Sequence, residues 1–117
     1  MTVHLNSSAL TFARDLVKDG AVVTDERDDW SEHAPSAGDE NTFLQKNSIG
    51  DFAKWHLGID SDKSEGTKGR YSFPFGDFSK VHRCAVISLE SRAAQNDHDD
   101  IATAAKNLLT LIDEQSR

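Results

Sequence analysis

The sequence predicts a mainly α-helical α+β domain of about five helices, closing in an antiparallel helix pair, with one short β-hairpin or edge strand at residues 71–75. Three observations carry that expectation. Ala9, Phe12, Ala13, Leu16 and Val17 recur at the helical period, and so do Ile101, Ala104, Ala105, Leu108, Leu109 and Ile112. Between residues 66 and 83, by contrast, Tyr71, Phe73 and Phe75 alternate at the strand period among turn formers, a pattern that can present one aromatic face. Finally, 117 residues suffice for one core and not for two, so residues 1–117 are read as a single domain.

Asn6, Ser7 and Ser8 offer an N-cap to the first helix, and Gly20 suits the position just past its end. Residues 1–5 ahead of it, and 115–117 at the far end, are expected to fray. Residues 24–35 carry few apolar groups and a proline, which predicts an irregular connection anchored by Trp30, with Asp25, Glu26, Asp28 and Asp29 solvated. Ser36 opens a second helix with Asp39 and Glu40 in its first turn, where the macrodipole favours acids, and Phe43 and Leu44 on its buried side. It ends near Asn47. Ser48 caps a third segment in which Ile49, Phe52, Ala53, His56 and Leu57 keep the helical spacing up to Gly58. Trp55 falls off that stripe, which leaves two readings open: a helix buried on two sides, or a segment whose end turns extended.

Pro74 lacks the N–H that a central ladder needs, so the strand at 71–75 belongs at an edge. Gly76-Asp77 then turns the chain, and Ser79 is expected to cap a helix running from Lys80 to about Gln95, rich in apolar residues from Val81 to Leu89. Asn96 or Asp97 is expected to cap the last helix. Two helices joined by so few residues must fold back on one another. Burial of the last helix contributes roughly 2 kcal/mol for each of its large apolar residues before conformational entropy is counted. Trp30, Trp55, Tyr71, Phe73, Pro74 and Phe75 make up the expected structural hub.

The net charge is −7, and it is uneven: −6 over residues 1–60, +2 over 61–95 and −3 over 96–117. An acidic total argues against generic nucleic-acid binding, while screening over about 8 Å leaves room for a local basic patch. The single cysteine, Cys84, excludes an intramolecular disulfide. There is no basic-then-apolar leader pattern and no run long enough to span a bilayer, which points to a cytoplasmic protein that does not enter membranes.

Residues 60–66 resemble the start of a calcium loop, but counted from Asp60 the glycine falls one place late and Tyr71 stands where a bidentate Glu belongs. Gly66-Thr67-Lys68-Gly69 lacks the spacing of a phosphate-binding P-loop. Five histidines are present. His82 and Cys84, two apart on a helix, point about 200° away from each other and make neither a dyad nor a chelate. His56 on the apolar stripe reads as a satisfied core histidine. No catalytic residue, metal site or cofactor is therefore predicted. The strongest site candidate is the positive cluster of Lys68, Arg70, Lys80 and Arg83 with His82 nearby, suited to an anion or an acidic protein partner; its bland counterpart is a set of ordinary surface charges balancing Asp60, Asp62, Asp77 and Glu90.

The runs Trp55, Leu57-Gly58-Ile59-Asp60, Thr67-Lys68-Gly69-Arg70-Tyr71, Phe73-Pro74-Phe75-Gly76-Asp77 and Lys80-Val81-His82-Arg83 resemble an uncharacterised bacterial and phage domain. That domain occurs as short stand-alone proteins and also alongside or fused to phage head-morphogenesis proteins. The similarity extends over most of the chain, from the first helix through Trp30-Ser31 and Ser36 to the terminal helix pair. Ser72 stands where the family often has Lys, which lowers the charge of this region. The resemblance brings no activity or catalytic residue with it. What it implies is a non-enzymatic binding or assembly module, phage-related, whose partner is a protein such as a phage structural or morphogenesis component. A nucleic-acid or phosphate-binding role for residues 68–83 is the alternative, and an enzyme ranks third for want of a nucleophile-base pair.

Overall fold

A computed structural model describes residues 3–24, 36–64 and 66–115. Trp30 and the acidic run at 25–29 lie outside the described residues, as do positions 1, 2, 116 and 117. Among the described residues the order is β1 (Val3–Leu5), α1 (Ser7–Lys18), β2 (Val22–Val23), α2 (Ala37–Lys46), α3 (Ile49–Ala53), β3 (His56–Asp60), β4 (Tyr71–Pro74), β5 (Val81–His82), α4 (Arg83–Gln95) and α5 (Asp99–Gln115). Five helices among the described residues, a small antiparallel sheet and a C-terminal helix pair make the α+β fold that the periodicities predict.

Sheet order is β1-β3-β4, antiparallel throughout, so β4 with Pro74 does occupy an edge. A second, two-stranded parallel sheet joins β2 to β5, with Val22 opposite Val81 and Val23 opposite His82. Three of these five strands, β1, β2 and β5, were not expected, and β3 is the extended reading left open at Trp55. Residues 3–5 pair with β3 rather than fray, because Asp60, Ile59 and Gly58 offer them a ladder. The third helix stops at Ala53, and His56–Asp60 is extended instead of helical, since partners on both sides satisfy its backbone. Trp55 off the helical stripe was the sign of that change.

The helix expected to begin at Lys80 begins at Arg83. Asp77, not Ser79, organises the turn: its Oδ1 accepts from the backbone N–H of Ser79 at 2.9 Å and of Lys80 at 2.8 Å, leaving Val81 and His82 free to pair with β2. At the other end of α4, Asn96 closes that helix, and Asp97 takes a left-handed φ of +62° at the reversal. Neither caps α5 as expected; the His98 carbonyl accepts from Ala102 N–H and starts it. α4 and α5 then run back to back, joined laterally by Arg83 with Asp113 and by Lys106 with Glu90.

Ala9, Ala13 and Val17 of α1, Leu89 and Ala93 of α4, and Ile101, Ala105, Leu108 and Ile112 of α5 meet Trp55, Leu57, Phe73 and Phe75 in one core. Small residues on the helices let these backbones approach closely. The aromatic face expected of Tyr71, Phe73 and Phe75 does not form as one surface. Phe73 sits at φ +60°, which interrupts the strand alternation and swings its ring toward the side occupied by Ser72, over the hydrogen of Gly58. There it meets His98 edge-on, whereas Tyr71 faces Phe52 and Phe75 packs on Trp55. A Cβ on Gly58 would come within 2.7 Å of Phe73 Cδ2 and 2.6 Å of Ser72 Oγ, so glycine is required at this crossing.

Candidate functional site

Four of the five residues singled out in the sequence are drawn into local side-chain contacts, and Lys80 is the exception. Lys68 Nζ reaches Glu40 at 3.4 Å and Asn41 at 3.0 Å on α2. Arg70 donates from Nη1 to the Lys63 carbonyl at 2.8 Å, closing the loop between β3 and β4. Arg83, in the first turn of α4, holds Asp113 with two hydrogen bonds of 2.9 and 3.4 Å. Lys80 is exposed on the turn that Asp77 organises. His82 is 4% exposed and donates from Nε2 to Asp77 Oδ2 at 2.8 Å. Burial opposes the charge on Asp77, but the hydrogen bonds from His82, Lys80 and Ser79 outweigh it and hold the carboxyl below its usual range. His82 and Asp77 are thus brought together, while Lys68, Arg70 and Arg83 bond to three different elements.

A different grouping forms a concave site. The start of α1 contributes Asn6 and Ser8, the short α3 and the residue after it contribute Ile49, Gly50, Ala53 and Lys54, the sheet contributes Ile59 and Tyr71, and the loop before β4 contributes Arg70, around a cleft of about 430 Å³. Asn6 fixes its geometry. Its side-chain oxygen accepts from Ala9 N–H and caps α1, its Nδ2 donates to the carbonyls of Ala53 at 3.0 Å and His56 at 3.2 Å, and its own N–H donates to the Leu57 carbonyl at 2.8 Å. One buried amide therefore ties α1, α3 and β3 into a common wall. Ser48 and Asp51 form a capping box on α3, which keeps a helix of five residues in place long enough to present Ile49 and Lys54.

The floor behind that wall is aromatic. Phe52 lies between His56 and Tyr71, with ring centroids at 4.5 and 6.2 Å. His56 Nδ1 donates to the Phe52 carbonyl at 2.9 Å, and burial pushes the imidazole down to about 4 despite that bond, so it is neutral at physiological pH. Such a histidine stiffens the site and carries no charge into it. The cleft's charge comes from Lys54 and Arg70, and among its described lining residues there is no carboxylate. An apolar lining of Ile49, Ile59 and Tyr71, flanked by Lys54, whose Nζ lies 5.9 Å from the Phe12 ring centroid, and by Arg70, whose Nη1 bonds the Lys63 carbonyl, suits an extended segment carrying an acidic group.

Arg70 and Tyr71 were singled out in the sequence; Asn6, Ser8, Ile49, Lys54 and Ile59 were not read as one site with them, because they come from separate segments that only the fold unites. The asparagine cap was the one local signal of the first wall. Among the described residues no three His, Cys, Asp or Glu side chains lie together as a metal ion would require. None of their helices is long and apolar enough to cross a membrane. Comparison with protein-family models, with curated proteins and with solved structures finds no match.

Proposed function

We propose that this protein is a non-enzymatic binding module that docks an acidic segment of a protein partner in the cleft walled by α1, α3 and the β3–β4 side of the sheet. The observation that carries the reading is the cleft itself: Lys54 and Arg70 line it together with Ile49, Ile59 and Tyr71 and no described carboxylate, on a chain whose net charge is −7. Cations gathered there favour an anionic group close by, while the net negative charge of the chain discourages non-specific association with a polyanion. The resemblance to a domain found beside phage head-morphogenesis proteins supports an assembly role in the cytoplasm, with a structural or morphogenesis protein as the partner. The interior placement of Trp55, Phe73 and Phe75 supports the choice of a protein partner over single-stranded nucleic acid, which binds on exposed stacking rings.

Selection of a displayed random-peptide library on the wild type, counter-selected on Lys54→Glu/Arg70→Glu, tests the reading. Enrichment of peptides with Asp or Glu next to an apolar residue is the expected result, and peptides that bind both proteins equally would sink it. A labelled oligonucleotide titrated in parallel gives the other arm. Saturable, salt-sensitive binding that Lys80→Glu/Arg83→Glu removes would move the function to the nucleic-acid alternative.

A further inference from the structure

On the opposite side of α1 from the acidic-segment cleft, a second groove runs between α1 and α5. Leu10 of α1 and Leu111 of α5 form its half-buried walls, with Leu108 beneath them and about 240 Å³ between. Positions 107, 110, 111 and 114 make one outward stripe of α5 at helical spacing, and Leu10 and Arg14 are one turn apart on α1. The groove therefore has an apolar centre, Arg14 on its α1 side and Glu114 on its α5 side. Both charged side chains are exposed, and neither forms an ion pair with a described residue.

We infer that this groove is a homodimer interface and that its occupant is the same groove of a second copy. Opposite charges on opposite walls are what a two-fold contact uses. A two-fold axis lying along the groove carries the α1 wall of one molecule over the α5 wall of the other, so Arg14 of each copy meets Glu114 of the second copy while Leu10 and Leu111 close the centre. Each charge pair occurs twice, and leucines left half-exposed in the single chain become covered. The contact leaves the α1–α3 cleft open on both copies, so the dimer presents two docking sites for a partner with repeated acidic segments.

Sedimentation velocity over a concentration series, on the full chain, decides the matter. Wild type is expected to show reversible dimerisation. Arg14→Glu or Glu114→Arg alone should weaken it about tenfold or more, because each reversal acts at two symmetric positions. The double variant Arg14→Glu/Glu114→Arg should restore it. Thermal melts of the same proteins establish that these exposed substitutions leave the fold unchanged. A wild type that stays monomeric at its highest soluble concentration overturns the inference. So does a dimer that ignores the single reversals, or a double reversal that fails to recover association. Peptide binding through Lys54 and Arg70 is measured independently and is untouched by any of these results.

Discussion

Between residues 83 and 115 the chain buries alanine, leucine, isoleucine and valine, on two helices whose polar atoms largely face water. Between residues 48 and 82 it buries Phe52, Trp55, Phe73 and Phe75 together with His56 and His82, and Phe73 and Phe78 have left-handed backbone conformations. The first region is held by repeated packing of similar side chains along a helical stripe. The second is held by single contacts that each occur once: Phe78 stacked on Phe43 at 4.4 Å, Asp77 bonded to His82, the Gly76 backbone lying against Trp55. Both are core, yet they fail in different ways. Loss of apolar burial should threaten the helix pair, whereas a change of protonation should threaten the segment before it.

The largest effect expected of one substitution is in the helix pair. Leu108 is 1% exposed and belongs to the shared core of α1, α4 and α5. Leu108→Asp removes its packing and buries an unpaired carboxylate, for a loss of about 4 kcal/mol or more. A domain of this size has little beyond that in reserve, so cooperative thermal unfolding should disappear. A variant that melts within a degree or two of wild type, with a sharp transition, would show that the helix pair is dispensable to the core and would erase the contrast drawn above.

The second effect belongs to the segment 48–82 and appears as acid sensitivity. His56 is held neutral in the fold at a pKa of about 4, against 6.5 when unfolded, so between these values the unfolded chain binds more protons than the native one. Stability is accordingly full above about pH 6.5 and falls as the pH drops toward 4, by up to about 3 kcal/mol at one proton over that window. His56→Gln keeps a donor near the Phe52 carbonyl and removes the titration. Urea melts of the two proteins from about pH 7 to about pH 4 should converge as the pH falls, because only the wild type carries this proton. Parallel pH profiles would mean that His56 is not the acid-sensitive group.

The same contrast explains what could be read from the residues alone. α1, α2 and α5 follow from local rules: Asn6 and Ser36 cap where their oxygens can reach an N–H three residues on, Gly20 takes its φ of +81°, and the stripes of α1 and α5 keep the helical period. β3 could not be read in this way, because His56 and Leu57 continue the helical spacing of Phe52 and are extended only because β1 and β4 lie on either side. β2 and β5 are two residues each and exist only as a pair formed across some 60 residues of chain. The cleft shows the same limit. Arg70 and Tyr71 announce themselves by type, whereas Asn6 and Lys54 acquire a role only when the amide of Asn6 has joined α1 to Ala53 and His56.

The smallest effect tests whether any part of the helix pair depends on a single specific contact. Arg83 opens α4, where the positive end of the macrodipole disfavours a cation, and Asp113 lies in the last turn of α5, where the negative end disfavours an anion. Each side chain is badly placed alone. Together they form a two-bond pair, at 2.9 and 3.4 Å, with side chains 31% and 48% exposed. Partial exposure limits such a pair to about 0.5 to 1 kcal/mol, and removing either partner also relieves an unfavourable dipole contact. The single variants Arg83→Ala and Asp113→Ala should therefore each cost less than the coupling energy extracted from the double-mutant cycle with Arg83→Ala/Asp113→Ala. Coupling near zero by urea denaturation would mean that the pair adds nothing and that apolar burial alone holds α4 against α5. Coupling well above 1 kcal/mol would place a once-only polar contact at the centre of the helix pair, and the distinction from the preceding segment would become one of degree.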